Sequence, residues 1–327
     1  MSEMKAGQGG WMSRRGFCRS VAAAAVGLPL TGVVAAVGGG KPVKFFKNFT
    51  PGHLGIQANQ RQTLEYAVKY GFEGIAPSTG EFRSASDSEI DAWVAKMKEA
   101  GVRYGAAGLP TEFRRDDARF RQSLAQLPAE ARLLRKLGVT RMATWITPGS
   151  NTLTYLQSFK LHETRLREAA KVLDDHGIRL GLEFVGPRTS RSRSRFAFIS
   201  TQAEMMELCA AIGTPNMGLL MDSWHWYTSH GTVEELLKLS NKDIVHVHVN
   251  DAPAGVDVDQ QMDNRRKLPA ATGVIDMKGF LNALARIGYD GPVECEPFDQ
   301  ELRDMDDEQA ARTTIDSLNR AWALIES

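Results

Sequence analysis

The strongest constraint in this 327-residue chain is a repeat of pattern. Short β-branched runs alternate with longer amphipathic stretches eight times. The runs fall at 43–49, 73–76, 102–107, 139–145, 178–184, 216–222, 243–250 and 292–296. Helical periodicity fills 58–70, 86–100, 116–137, 155–176, 201–212, 231–240, 276–287 and 306–325. Apolar residues recurring every three to four positions mark a helix buried on one face, and short apolar runs bounded by turn residues mark strands. Several helical stretches run directly into a glycine, at Gly71, Gly101, Gly138, Gly177 and Gly288. A left-handed residue there ends the helix and releases the chain toward the next strand. Eight such units predict an α/β protein, a single (β/α)8 barrel, a fold that takes about 250 residues. A doubly wound open sheet would bring about six strands and a glycine-rich phosphate turn, and the sequence holds no such turn.

The first forty residues break the pattern. Ser13-Arg14-Arg15-Gly16-Phe17-Cys18-Arg19 precedes an uncharged, small-residue stretch from Ser20 to Val37, with Val34-Ala35-Ala36 near its end. A basic region, an apolar region and small residues at a cleavage point describe a secretory signal, and the paired arginines resemble the twin-arginine export motif. The expected organisation is therefore a signal segment at 1–40 and a catalytic barrel at 41–327, exported to the periplasm or beyond, with no stable membrane insertion after cleavage. Gly27, Pro29 and Gly32 interrupt the apolar stretch, which argues against a permanent span of about 20 residues.

Charge narrows the partners. The whole chain carries +1, and residues 1–40 contribute Lys5, Arg14, Arg15 and Arg19 against Glu3, so the remainder is −2. That balance does not support a nucleic-acid-binding face. Cys18, Cys209 and Cys295 have neither disulfide-framework nor zinc-thiolate spacing.

In a barrel of this class the reacting groups lie at the C-terminal strand ends. Strand five ends Leu180-Gly181-Leu182-Glu183, strand six ends Met221-Asp222, strand seven carries His246-Val247-His248, and strand eight ends Glu294-Cys295-Glu296. Side chains alternate across a strand. Val245, Val247 and Val249 therefore face the helices while His246 and His248 face the interior, and Glu294 and Glu296 face inward opposite Val293 and Cys295. Glu183, Asp222, His248 and Glu296 would form an arc within reach of one ion. Three carboxylates so placed resist ionising together without a cation. Three oxygens and one imidazole favour one divalent ion, Mn2+ first, with Mg2+ or Co2+ as alternatives. His246 and Glu294, one pleat below, are placed to orient these ligands by hydrogen bonds.

Gly181-Leu182-Glu183-Phe184, Leu219-Leu220-Met221-Asp222-Ser223-Trp224-His225, His246-Val247-His248-Val249-Asn250-Asp251 and Glu294-Cys295-Glu296-Pro297 resemble the xylose-isomerase-like barrel superfamily. Within it the chain is most similar to sugar phosphate isomerases/epimerases, including ketose 3-epimerases. The resemblance implies metal ligation by Glu183, Asp222, His248 and Glu296, proton exchange by Glu183 and Glu296, and a substrate-oxygen contact from His225. The endonuclease IV branch needs further histidines from the early strands and an Asp-x-His. Here the matching stretch is Asp263-Asn264-Arg265-Arg266, and His53 is the only histidine before His162. A single-metal site follows.

Proton abstraction beside a carbonyl is the step these residues support, and an epimerase or isomerase of an unphosphorylated sugar or keto-sugar is the expected function. A 3-keto-sugar or keto-glycoside lyase or dehydratase is the alternative enzyme, and a non-catalytic carbohydrate-binding barrel the alternative of another class. Trp145, ending strand four, is expected in the pocket wall. Arg188, Arg191, Arg193 and Arg195 after strand five, with Arg265 and Arg266, either clamp substrate oxygens or form a solvated loop. Arg188 and Arg265 are the clamp candidates. Asp251 is expected to cap the turn that follows it. The sugar, the carbon attacked and the oligomeric state are not encoded in any of these motifs.

Overall fold

The computed structural model describes residues 43–326, and the expected export signal lies outside them. Eight parallel strands circle the interior: β1 (Phe46–Phe49), β2 (Gly74–Ile75), β3 in two segments (Arg103–Tyr104 and Ala107–Gly108), β4 (Arg141–Trp145), β5 (Arg179–Glu183), β6 (Met217–Asp222), β7 (Ile244–His248) and β8 (Pro292–Glu294). β1 pairs with both β2 and β8. The first segment of β3 pairs with β2 and the second with β4, so the sheet closes through β3. Helices cover its outside, among them α1 (Gln60–Tyr70), α2 (Asp87–Glu99), α3 (Asp117–Leu137) and α4 (Tyr155–Asp175). After β5 to β8 follow α5 (Gln202–Ile212), α6 (Ser223–Thr228), α7 (Val233–Leu236), α8 (Met277–Arg286) and α9 (Asp307–Trp322).

Capping explains where the helices begin and end. Asn59 and Gln62 form a reciprocal cap on α1, and Gly71 closes it at φ +80°, a backbone state that costs other residues steric strain. The helical pattern at 231–240 condenses to the single turn of α7. Thr232 and Glu235 cap one short element, and Ser240 with Asp243 caps the next, so the caps divide the stretch. Val245, Val247 and Val249 are fully buried between sheet and helices. No helix among the described residues is long and apolar enough to cross a membrane.

β2 and β3 are shorter than their sequence patterns, and Asn48 of β1 lies against both. A side chain at Gly105 would stand 2.6 Å from the Asn48 amide, and one at Gly74 would meet the Phe46 ring at 2.3 Å. These two glycines keep open the space through which Asn48 reaches the barrel interior.

One buried histidine outside the site sets a pH dependence. On α4, His162 Nδ1 donates to the Ser158 carbonyl at 2.7 Å, while Nε2 is buried without a partner between the Phe113 and Phe198 rings. Burial pushes its pKa down to about 4, against about 6.5 in an unfolded chain. Between those values the unfolded chain binds more protons than the folded one, so stability falls as the pH drops. We expect denaturant titrations to lose about 3 kcal/mol from this group between about pH 6.5 and 4. The slope should flatten in His162→Phe, and an unchanged slope would contradict the assignment.

Candidate active site

Four strands deliver their last inward side chains to one point. Glu183 ends β5, Asp222 ends β6, His248 ends β7, and Glu296 lies two residues beyond β8. One ligand atom from each lies within 4.8 Å of all the others. His248 Nδ1 stands 3.5 Å from Glu183 Oε1, 3.5 Å from Glu296 Oε2 and 4.0 Å from Asp222 Oδ2. Glu183 Oε1 and His248 Nδ1 are buried without hydrogen-bond partners. Unsatisfied buried acceptors are costly. Two of them facing a common point with two more carboxylates fit a divalent cation, and the oxygen-rich donor set fits a hard or borderline one.

A polar layer beneath fixes the imidazole. β7 and β8 are in register at His248 and Glu294. Glu294 Oε1 lies 3.3 Å from His248 Nε2, 3.3 Å from His246 Nε2 and 3.5 Å from His53 Nδ1. Glu294 Oε2 accepts from Asn48 Nδ2 at 2.5 Å and Thr50 Oγ1 at 2.7 Å. With its Nε2 proton facing Glu294, His248 directs the Nδ1 lone pair toward the four-residue cluster. Burial alone would raise the Glu294 pKa, but the charges and hydrogen bonds of His246 and His248 hold it well below the carboxylate range. Burial pushes His246 down. Burial would also lower His248, yet its contacts with Glu183, Glu294 and Glu296 raise it well above the usual value.

A cation of the chain itself joins the cluster. Arg266, 2% exposed, donates from Nη1 to Asp222 Oδ2 at 2.8 Å and to Glu296 Oε2 at 3.0 Å, and from Nη2 to Asp263 Oδ1 at 2.9 Å. Its guanidinium lies over the Phe298 ring at 4.7 Å and the Trp224 ring at 5.6 Å. Phe298 holds φ +43°, a left-handed backbone state seldom adopted by an aromatic residue. Asn250 completes the frame: its Nδ2 donates to Asp222 Oδ1 at 3.0 Å and its Oδ1 accepts from the Glu296 amide at 3.0 Å. The two glutamates are consequently unlike. Burial holds Glu183 above the ordinary carboxylate range. Burial would do the same to Glu296, but the hydrogen bond and charge of His248 and the charge of Arg266 hold it well below.

Above the cluster opens a pocket of about 430 Å3, lined by Trp145, Glu183, His225, Arg266, Glu296 and Phe298 among others. His225 Nδ1 accepts from the Gly186 amide at 3.2 Å, and its Nε2 lies 3.3 Å from Arg266 Nη2 and 3.9 Å from Glu183 Oε1. The arginines sort differently from expectation. Arg188 pairs with Asp259 at 3.0 Å and Arg265 is exposed. Neither lines the pocket, whereas Arg193 and Arg266 do. Adjacent arginines in a non-periodic loop carry no signal for which one turns inward. Asp251 accepts from the amides of Ala252, Thr272, Gly273 and Ile275, so it organises the long loop after β7. His53, an isolated histidine in the sequence, joins the site: its 3-10 turn (Pro51–Leu54) brings the ring edge-on to His248 at 5.6 Å.

Known proteins with this organisation are consistent in kind. An inosose isomerase of Bacillus velezensis is 24% identical over 263 residues, covering 78% of this chain and 89% of that one. A probable ketose 3-epimerase of Synechocystis is 24% identical over 201 residues (58% and 66%). A 3-dehydroshikimate dehydratase of Pseudomonas aeruginosa is 27% identical over 139 residues, 42% of this chain but 20% of that longer protein. Among solved structures, a xylose isomerase domain protein of Alicyclobacillus acidocaldarius superposes with a TM-score of 0.75 at 27% identity, covering 86% of this chain and 99% of that one. The IOLI protein with a bound zinc atom shares the fold at a TM-score of 0.70 and 20% identity (85% and 98%). Residues 64–321 match the xylose isomerase-like TIM barrel family, and the chain belongs to it.

Proposed function

We propose that this protein is a divalent-metal-dependent isomerase or epimerase of an unphosphorylated sugar or keto-sugar, working by proton abstraction next to a carbonyl. The observation that carries the reading is the convergence of Glu183, Asp222, His248 and Glu296 at one point, with Glu183 and Glu296 lining the pocket and Glu183 Oε1 and His248 Nδ1 left without partners. The relatives named as an inosose isomerase and a ketose 3-epimerase support it. These four residues would hold the ion, which when bound polarises a carbonyl as a Lewis acid.

The chain's own groups do the rest. His225 and Arg266 both line the pocket, where His225 is placed to contact a substrate oxygen and Arg266 puts positive charge beside the oxygen on which negative charge develops. Glu183 and Glu296, the two carboxylates of the cluster that line the pocket, are suited to exchange a proton with carbon. Return to the same carbon from the opposite face inverts it, and return to the neighbouring carbon moves the carbonyl. Loss of a β-hydroxyl instead would make the protein a lyase or dehydratase of a 3-keto-sugar, a second reading favoured by the dehydratase among the relatives. A purely carbohydrate-binding barrel would not need a pair of glutamates facing one pocket.

The test is proton exchange in D2O, followed by NMR, with metal-loaded protein and a panel of free ketoses, aldoses and 3-keto-glucosides. Deuterium on one carbon is expected, and the product distinguishes epimer, isomer and dehydrated sugar. Silence across the whole panel would overturn the reading.

A further inference from the structure

The outer half of the pocket is built differently from its floor. Trp145 and Glu183 are cross-strand partners at the ends of β4 and β5, yet Glu183 is 5% exposed and Trp145 is 46% exposed. An indole this open at a strand end is normally free to change rotamer. Here one face is backed. The Arg114 guanidinium lies 4.3 Å from the Trp145 ring centre and 4.2 Å from that of Phe113, which is 1% exposed and rooted in the core. Arg114 Nη2 also donates to Thr144 Oγ1 at 2.8 Å and to the Trp145 carbonyl. The cation is thus held between a buried ring and an exposed one, and it fixes the exposed ring at the pocket's edge.

The opposite wall is fixed as well. Residues Gly149–Ser150, after β4, pair antiparallel with Phe196–Ala197, after β5. They pack so closely that a side chain at Gly149 would stand 2.6 Å from Ser194. That pairing sets Pro148, Ser190, Arg193 and Ser194 around the outer pocket. At about 430 Å3, the pocket falls in the ~300–1,000 Å3 range of sites that bury drug-sized ligands.

We propose that this outer half is a subsite for a second ring attached to the reacting sugar, with Trp145 as its stacking platform and Arg114 as the residue that positions the platform. The proposal rests on the sugar reading above and narrows its substrate class to glycosides whose reacting ring still carries a carbonyl, that is, keto-glycosides. An aromatic face packs on the flat face of an arene or the apolar face of a sugar ring, and both satisfy the geometry.

Calorimetric titration of the metal-loaded protein with methyl and phenyl β-glycosides of glucose, galactose and xylose, and with cellobiose, tests it. For at least one sugar the ring-bearing ligand is expected to bind about three- to tenfold more tightly than the methyl glycoside. Trp145→Ala should erase that advantage, Trp145→Phe should keep most of it, and Arg114→Met should reduce it. Whether phenyl or glucosyl gains more identifies the second ring. Equal affinities in the unmodified protein, no binding by any probe, or an advantage that survives Trp145→Ala would overturn the subsite. The two readings fail separately. Deuterium exchange with free sugars and no ring preference removes the subsite alone, whereas a ring preference without exchange on any substrate removes the proton-transfer reading alone.

Discussion

Glu183→Gln and Glu296→Gln proteins are each expected to turn over substrate roughly 10²–10⁴-fold more slowly than the unmodified chain, the usual worth of a positioned acid or base. Glutamine keeps the volume and one carbonyl acceptor, so at Glu296 the Arg266 Nη1 contact at 3.0 Å can persist while the proton-accepting charge is gone. The substitutions should differ in stability. Glu183 is pushed toward its neutral form by burial, and glutamine imitates that form, so the metal-free Glu183→Gln protein should unfold at no lower denaturant concentration than its parent. Glu296→Gln removes one of the carboxylates facing a buried arginine, and breaking such a pair is destabilising. Asp222 and Asp263 remain to hold Arg266, so the protein should still fold. Steady-state turnover with saturating metal, beside circular dichroism, checks both points. Near-normal turnover in either variant would remove that glutamate from the proton-transfer role.

Chelation should have a comparable effect. Dialysis against excess chelator is expected to abolish activity, with Mn2+, Co2+ or Mg2+ restoring it, because the carbonyl then lacks the Lewis acid that polarises it. An independent readout is stability, since a ligand that binds only the folded chain at a hundred times its dissociation constant adds about 2.7 kcal/mol. Thermal unfolding should therefore shift upward with added metal in the unmodified protein and little in Asp222→Asn, a residue fully buried at the cluster. Full activity in excess chelator would sink the metal dependence.

The barrel was legible because strand and helix periodicities are local properties. Alternation along 243–250 placed His246 and His248 on the inner face, and the contacts of both with Glu294 are those of inward side chains. Glycine after the helices was equally readable, as Gly71, Gly101, Gly138, Gly177 and Gly288 all take positive φ. The polar layer under the cluster was less so. Asn48 sits in a run that reads as ordinary strand, and its significance depends on β1 lying beside β8, a pairing between residues more than two hundred positions apart.

What the sequence by itself determined is which residues end which strand and which face they take, since both follow from a two-residue repeat acting within a few positions. Only the tertiary structure decided the identity of the arginine in the site. Arg265 and Arg266 are adjacent in a loop of no period, and the choice between them is made by Asp222 and Glu296 on β6 and after β8, whose buried charges draw in the guanidinium that can reach both. It decided likewise that His53 turns back over His248, and that Trp145, an exposed aromatic by any local rule, lies against the guanidinium of Arg114 from another loop. Contacts of this kind depend on chain closure around the barrel, and no local pattern in the amino-acid order reports them.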